Sequence, residues 1–212
     1  MRNYRTKKET IYEEVKSRIY DSTYEFGEKL VISRLAKEFE SSEIPVREAL
    51  NQLNTEGLID FRPHVGAIVT PLSKKDVQDI FEIRIVLEVL ATRLAVGNLT
   101  DGDLNHLKSI IAESQEAFQL RDYKKISKLN FKFHMHIYER SRNTLLVNTI
   151  YDLWMNSGRY PNLFEKNDEH IKVSLAEHEK IYHALLDKDA DLAEKITKQH
   201  KVKAAEEIAK LT

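Results

Sequence analysis

The chain has 212 residues, 42% of them apolar, enough to bury a substantial core and to divide it between two modest domains. With 33 Lys+Arg against 34 Asp+Glu the net charge is −1, so nucleic-acid binding must come from local placement of charge, since the bulk is not basic. The lack of cysteine excludes disulfides and thiolate metal sites, leaving any metal to nitrogen and oxygen ligands.

The most apolar segment, "IRIVLEVLATRLAV", carries Arg84, Glu88 and Arg93 and is unsuited to span a membrane. The start, "MRNYRTKK", lacks the apolar stretch of a secretory signal, and the chain reads as cytoplasmic. Ile11, Val15 and Ile19 recur every fourth residue; Ile32, Leu35, Ala36 and Phe39, then Val46, Ala49, Leu50 and Leu53, follow the i, i+3, i+4, i+7 spacing. Three helices are therefore predicted in the first 56 residues. "LIDFRPHVGAIVTP" follows as two short runs around Pro63 to Gly66, a β-hairpin whose turn needs glycine's permissive backbone. From Ser73 on, helices are predicted at about 73–96, 100–120, 122–140, 143–157, 174–187 and 189–210. Their starts are read from Ser73 with Asp76, Thr100 with Asp103, and Ser174 with Glu177, each a hydroxyl three residues before a carboxylate. The polar segment 156–170 is predicted to be a loop.

In "SSEIPVREALNQLNTEGLI", Ser42 is placed to cap a helix, and Pro45 falls in the first turn, where its missing N–H costs no hydrogen bond. Val46, Ala49, Leu50 and Leu53 form the inner face, while Glu43, Arg47, Asn51 and Asn54 line the outer one. A short helix, a tight turn, this second helix and a hairpin describe a winged helix-turn-helix, whose second helix enters the major groove by its N-terminal end. Residues 1–72 hold 11 Lys+Arg and 12 Asp+Glu, so the reading rests on placement: Arg2, Arg5, Lys7 and Lys8 precede the first acid, and Arg34, Lys37, Arg47 and Arg62 surround the second helix.

From Phe26 to Leu72 the chain resembles the GntR family of bacterial transcriptional regulators, through a Gly-x-x-Leu entry, "LA", "PVREAL", the exit "L..EGL" and the wing "R..GA.V". The resemblance implies DNA contacts at Ser42, Glu43, Ile44 and Arg47, and at His64 and Gly66 at the wing tip. It implies a homodimer on a palindromic operator in double-stranded DNA. Glu40 stands where the family commonly has glycine, and Glu43 where it commonly has arginine. A carboxylate at position 43 can accept from cytosine N4 but cannot read guanine as arginine does; alternatively it pairs with Arg47 one turn on and only orients it.

In the second part, Asn130 and His134 share a helix face from which His136 points away, and His178 and His200 lie in other helical patterns. Arg84 and Glu88, four apart, could form an intrahelical pair. Here the chain resembles the FCD effector domain of one branch of GntR regulators, through "EIRIVLEVLATRLA", the Asn130-to-His134 motif, Glu177–His178 and a last-helix histidine. That likeness implies an antiparallel helical bundle binding a divalent metal through Asn130, His134, His178 and His200, with a small carboxylate effector beside it and Arg84 at the effector cavity. Three imidazoles and one oxygen suit Zn²⁺ first, then Mn²⁺ or Ni²⁺. Asn130, where aspartate is also common, leaves one more positive charge on the site.

The fold class is therefore mainly α: a winged helix-turn-helix over 1–72 followed by an all-α antiparallel bundle of about six helices over 73–212, for effector binding and dimerisation. The resemblance implies the function of a ligand-responsive repressor that touches no membrane. Two rivals are a metal-dependent hydrolase, given that three histidines and an open position can generate hydroxide, and a regulator sensing a long acyl-thioester without metal. The sequence holds no HExxH, no Gly-x-Ser-x-Gly and no phosphate-cradling glycine loop, which weighs against an enzyme.

Overall fold

The computed structural model describes residues 5–21, 23–71, 73–157, 164 and 167–210. It divides into two compact units, Met1–Ser73 and Lys74–Thr212.

In the first unit, α1 (Lys7–Tyr20) starts at a capping box in which Thr6 accepts from the Glu9 amide and Glu9 accepts from the Thr6 amide. Strand β1 (Lys29–Leu30) is followed by α2 (Ile32–Glu38), α3 (Glu43–Thr55), β2 (Ile59–Arg62) and β3 (Gly66–Val69). The two-residue β1 is too short to give a sequence pattern; it adds a third strand, in the antiparallel order β1-β3-β2, with Lys29 opposite Ile68 and Phe61 opposite Ala67. Ile11, Val15 and Ile19 of α1 and Val46, Leu50 and Leu53 of α3 are fully buried in one core with Leu58 and Val69. At about 1.5–3 kcal/mol per buried aliphatic side chain, that packing holds so short a helix as α3 in place. Ser42 has N-cap backbone angles, but its side chain makes no capping bond. The start of α3 is thus fixed by Pro45 and by the preceding turn, not by the serine hydroxyl.

The second unit contains α4 (Lys74–Ala95), a short 3₁₀ turn at Val96–Asn98, α5 (Asp101–Gln119), α6 (Tyr123–Glu139), α7 (Thr144–Ser157), α8 (Asp168–Leu186) and α9 (Ala190–Lys210). Thr100 and Asp103 form the expected capping box. The predicted start of α8 at Ser174 is corrected: the helix begins six residues earlier, where Asn167 accepts from the His170 amide and Asp168 and Glu169 favour the positive end of the helix dipole. Ser174 is buried inside the helix, and α7 ends at Ser157, where the predicted helix 143–157 ends, so the first two residues of the predicted loop 156–170 are helical. Arg159 and Tyr160 of the predicted loop lie outside the described residues, as do Arg2 and Leu72.

Helices α4 and α9 run antiparallel, since Arg93 near the end of α4 pairs with Asp191 and Glu194 near the start of α9, while Glu88 meets Lys201 farther along. In the same way Asp103 at the start of α5 bonds Arg140 just past the end of α6. Phe133, Tyr138, Ile150, Ile171 and Ile181 close the core. No helix of the described residues is long and apolar enough to cross a membrane.

Candidate functional site

The first turn of α3 is displayed to solvent. Ser42, Glu43 and Arg47 are exposed, and Ile44 keeps 71% of its surface accessible although it is a large apolar residue. The alternative in which Glu43 orients Arg47 is not realised: among the described residues no ion pair joins them. At the hairpin tip the Val65 amide donates to the Arg62 carbonyl across Pro63 and an exposed His64 with φ of +62°, a turn needing a left-handed third residue. Gly66 has φ of +106°, and a Cβ there would meet only the end of Lys29 at 3.6 Å, so the backbone conformation, not crowding, demands glycine. Glu40, in the turn between α2 and α3, also has a positive φ, +47°. Of the basic residues expected near DNA, Arg34, Lys37 and Arg47 are exposed, Arg62 lies 3.3 Å from Asp60, and Lys7 donates to the Phe39 carbonyl.

In the second unit three imidazoles converge from α6, α8 and α9. The Nε2 atoms of His134 and His200 are 3.1 Å apart, and those of His178 and His134 3.2 Å. All three residues are buried. The tautomers of two follow from their outer nitrogens. Glu177, an acceptor only, lies 2.7 Å from His200 Nδ1, which must therefore carry the proton. Tyr138 donates its hydroxyl proton to Glu88 at 2.6 Å, so its oxygen accepts from His134 Nδ1 at 3.3 Å. His134 and His200 thus direct bare Nε2 lone pairs at one another. Such an arrangement is repulsive alone and resolved by a cation between them. Ligand nitrogens in a tetrahedral zinc site are about 3.3 Å apart, given Zn–N bonds of about 2.0–2.1 Å, and the cluster is near that spacing. Burial pushes His134 and His178 well below the ordinary histidine range, helped by the Lys201 charge and by neighbouring imidazoles. His200 is lowered by burial too, against an opposing pull from Glu177. Neutral imidazoles are the form a metal requires.

Asn130 lies one turn before His134, and its Oδ1 is buried without a hydrogen-bond partner. With His178, Ser114, Ser174 and the apolar Ile126 and Ile171 it lines a narrow gap in the bundle. An orphaned buried amide oxygen costs about 1–3 kcal/mol, so the residues fit a metal ion that would take it as fourth ligand. His136 turns outward, 3.1 Å from Asp103 and against the His106 ring, as its helical position requires. Glu177, the helical neighbour of His178, faces His200 on α9, and burial, which raises its carboxyl, is overcome by bonds from His200 and Lys203, leaving it at about 2.

Beside the histidines lies a charged cluster that periodicity did not reveal. Arg84 forms the pair with Glu88, at 2.7 Å, but both are buried and the pair is no surface feature. Arg84 also donates to Ser157 at 2.7 Å and lies 4.1 Å from the Trp154 ring centroid and 4.9 Å from that of Phe81. Lys201 pairs with Glu88 at 2.9 Å and sits 4.6 Å from the Trp154 centroid. Burial raises the Glu88 carboxyl, but Arg84, Lys201 and Tyr138 hold it down at about 2; burial lowers Lys201 to about 8 against the pull of Glu88. The sequence signal was charge within an apolar stripe, Arg84 and Glu88 in "IRIVLEVLATRLAV"; Lys201 gave none.

Comparison with known proteins bears on both units. Family models match at residues 7–69 (bacterial regulatory proteins, gntR family) and 79–202 (FCD domain). The HTH-type transcriptional regulator McbR of Escherichia coli is 34% identical over 160 residues, 76% of this chain and 72% of its own length. The uncharacterized HTH-type transcriptional regulator YdhC of Bacillus subtilis is 32% identical over 193 residues, 89% of this chain and 83% of its own. The solved structure of E. coli McbR/YncC superposes with a TM-score of 0.79 over 98% of this chain and 99% of that one, at 24% identity, a likeness of fold.

Proposed function

The chain belongs to the GntR family of bacterial regulators, with an FCD domain, and from that premise we propose that it is a homodimeric, metal-dependent repressor released from its operator by a small carboxylate effector. The coarser statement is secure: it is a ligand-responsive DNA-binding transcription regulator and not an enzyme, which sets the hydrolase aside. The observation that carries the finer reading is the meeting of three neutral imidazoles, of which His134 and His200 turn bare Nε2 lone pairs toward one another. Such a set leaves coordination positions for a water or an effector oxygen.

Four neutral ligands would hold the metal, Zn²⁺ before Mn²⁺ or Ni²⁺: Asn130 from α6 with His134, and His178 and His200 from α8 and α9. Bound metal supplies a Lewis-acidic point for an effector carboxylate. Glu177 orients His200, and Tyr138 orients His134 while linking it to Glu88 and thus to Arg84. Effector binding is thereby communicated to four helices, α4, α6, α8 and α9. A coupling of about 1–3 kcal/mol to operator affinity is enough to vacate the operator. On DNA, Ser42, Glu43, Ile44 and Arg47 would face base edges, with His64 and Gly66 following the backbone, in the cytoplasm where the operator lies.

The homodimer finds support on α4. Ile83, Val86, Leu90 and Leu94 recur on one side of that helix and stay 51%, 67%, 44% and 41% exposed, a stripe suited to a second copy. Elemental analysis of protein purified without chelator, with a gel shift on the DNA upstream of its own gene, tests the proposal. About one metal per chain and a retarded band weakened by carboxylate are expected. Metal-free protein that shows no thermal shift with divalent ions would discard the metal site.

A further inference from the structure

The buried cluster around Trp154 carries more positive charge than the protein itself neutralises. Arg84 and Lys201, both buried and both against Trp154, share one carboxylate, Glu88. The other buried acid nearby, Glu177, is bonded to His200 and paired with Lys203. Lys203 is largely exposed and answers Glu177 from the solvent side, so in the buried cluster Arg84 and Lys201 against Glu88 leave one positive charge before any metal. A divalent ion on neutral ligands adds two more, and Asn130 withholds the compensation that a carboxylate at its position would bring. Uncompensated charge in a buried site is costly unless a ligand brings the counter-charge.

Donors for that ligand are in place. Among the described residues the hydrogen bonds of Arg84 end on Glu88 and Ser157 through Nε and Nη1, so the Nη2 group is unspent. Lys201 has spent one of three N–H donors on Glu88. The cation pair and the histidines are close neighbours: the Tyr138 hydroxyl touches both Glu88 and His134, and the Trp154 and His134 ring centroids are 5.7 Å apart.

We propose that the effector is a dianion, a short dicarboxylate, with one carboxylate held by Arg84 and Lys201 at Trp154 and the other directed to the metal at the histidines. The inference rests on the metal-site reading above. It separates this chain from a sensor of monocarboxylates, for which one cation beside the metal would suffice.

The test compares chain-matched acids by calorimetry on the metal-loaded full chain: succinate against butyrate, and malate against 3-hydroxybutyrate. The dicarboxylates are expected to bind at least about tenfold more tightly, because a second charge-assisted contact is gained. Lys201→Gln should bring that ratio toward one. Asn130→Asp, which returns a negative charge to the metal shell, should reduce the ratio while elemental analysis still finds metal. Equal affinities in the wild type, binding of none of the four acids, or an undiminished ratio in Lys201→Gln with native circular dichroism would overturn the proposal. If Lys201→Gln does not fold, the wild-type ratio and Asn130→Asp decide. Should the wild type prove metal-free, the metal reading fails on its own account. The dianion assignment then stands if succinate still exceeds butyrate through Lys201, and falls if it does not.

Discussion

Replacing Glu177 by Gln isolates one hydrogen bond at the heart of the candidate metal centre. The carboxylate accepts from His200 Nδ1 at 2.7 Å through one oxygen and from Lys203 through the other. A glutamine offers one acceptor oxygen and an NH₂ group, so one of the two donors must face another donor. If His200 loses its acceptor, nothing fixes the proton at Nδ1, and the tautomer with Nε2–H, which cannot ligate, becomes accessible. Loss of such an orienting carboxylate typically weakens metal affinity about 10–100-fold, which is about 1.4–2.7 kcal/mol. The side chain's volume is unchanged, so packing of α8 on α9 should survive and circular dichroism should match the wild type. Competition against a chromophoric zinc chelator measures the affinity directly. Wild-type affinity in Glu177→Gln, with an intact fold, would refute the assignment of His200 as a ligand held by Glu177.

Other outcomes follow from the same geometry. Glu40 sits at φ +47° in the turn before α3, a region costly for any residue with a Cβ. Glu40→Gly should stabilise the first unit by a net of about 0.5–1 kcal/mol once glycine's extra chain entropy is counted, read as a higher urea midpoint; an unchanged or lower midpoint would show the turn is unstrained. The metal-free protein should lose stability as pH falls through about 6.5, because the unfolded chain takes up protons there that folded His134, His178 and His200, with depressed pKa values, refuse. The loss is at most about 1.4 kcal/mol per pH unit for each histidine, read from melting curves between pH 8 and 5; a flat or rising Tm toward acid would contradict it. Arg47→Ala should weaken specific operator binding by about 1–3 kcal/mol in fluorescence anisotropy while leaving metal content unchanged, and retained affinity would overturn the docking of α3.

Much of the fold was legible from local chemistry. The spacing of Val46, Ala49, Leu50 and Leu53 fixes which face of α3 turns inward, because a helix with one oily side has one way to bury it. Thr100 with Asp103 announces the start of α5, and Gly66 a turn in the left-handed region. Helix periodicity likewise separates Asn130 and His134 from His136, since 3.6 residues per turn put them on different sides. Contacts between helices are another matter. Ser174 with Glu177 has the form of a capping box, yet both lie within α8, because Asn167 supplies an earlier cap and the core accepts Ile171. Strand β1 exists only because β3 offers it a ladder.

At the site, the sequence by itself determined the ligand types and the face of α6 on which Asn130 and His134 lie. Family resemblance added His178 and His200. Only the tertiary structure decided that Glu177 reaches His200, that Tyr138 ties His134 to Glu88, and that Arg84 and Lys201 share one carboxylate against Trp154. The pairings between helices among these span gaps of 23 residues for Glu177–His200, 50 for Glu88–Tyr138 and 113 for Glu88–Lys201. Periodicity reports which way a side chain points from its own helix; what it meets is set by the packing of the next one.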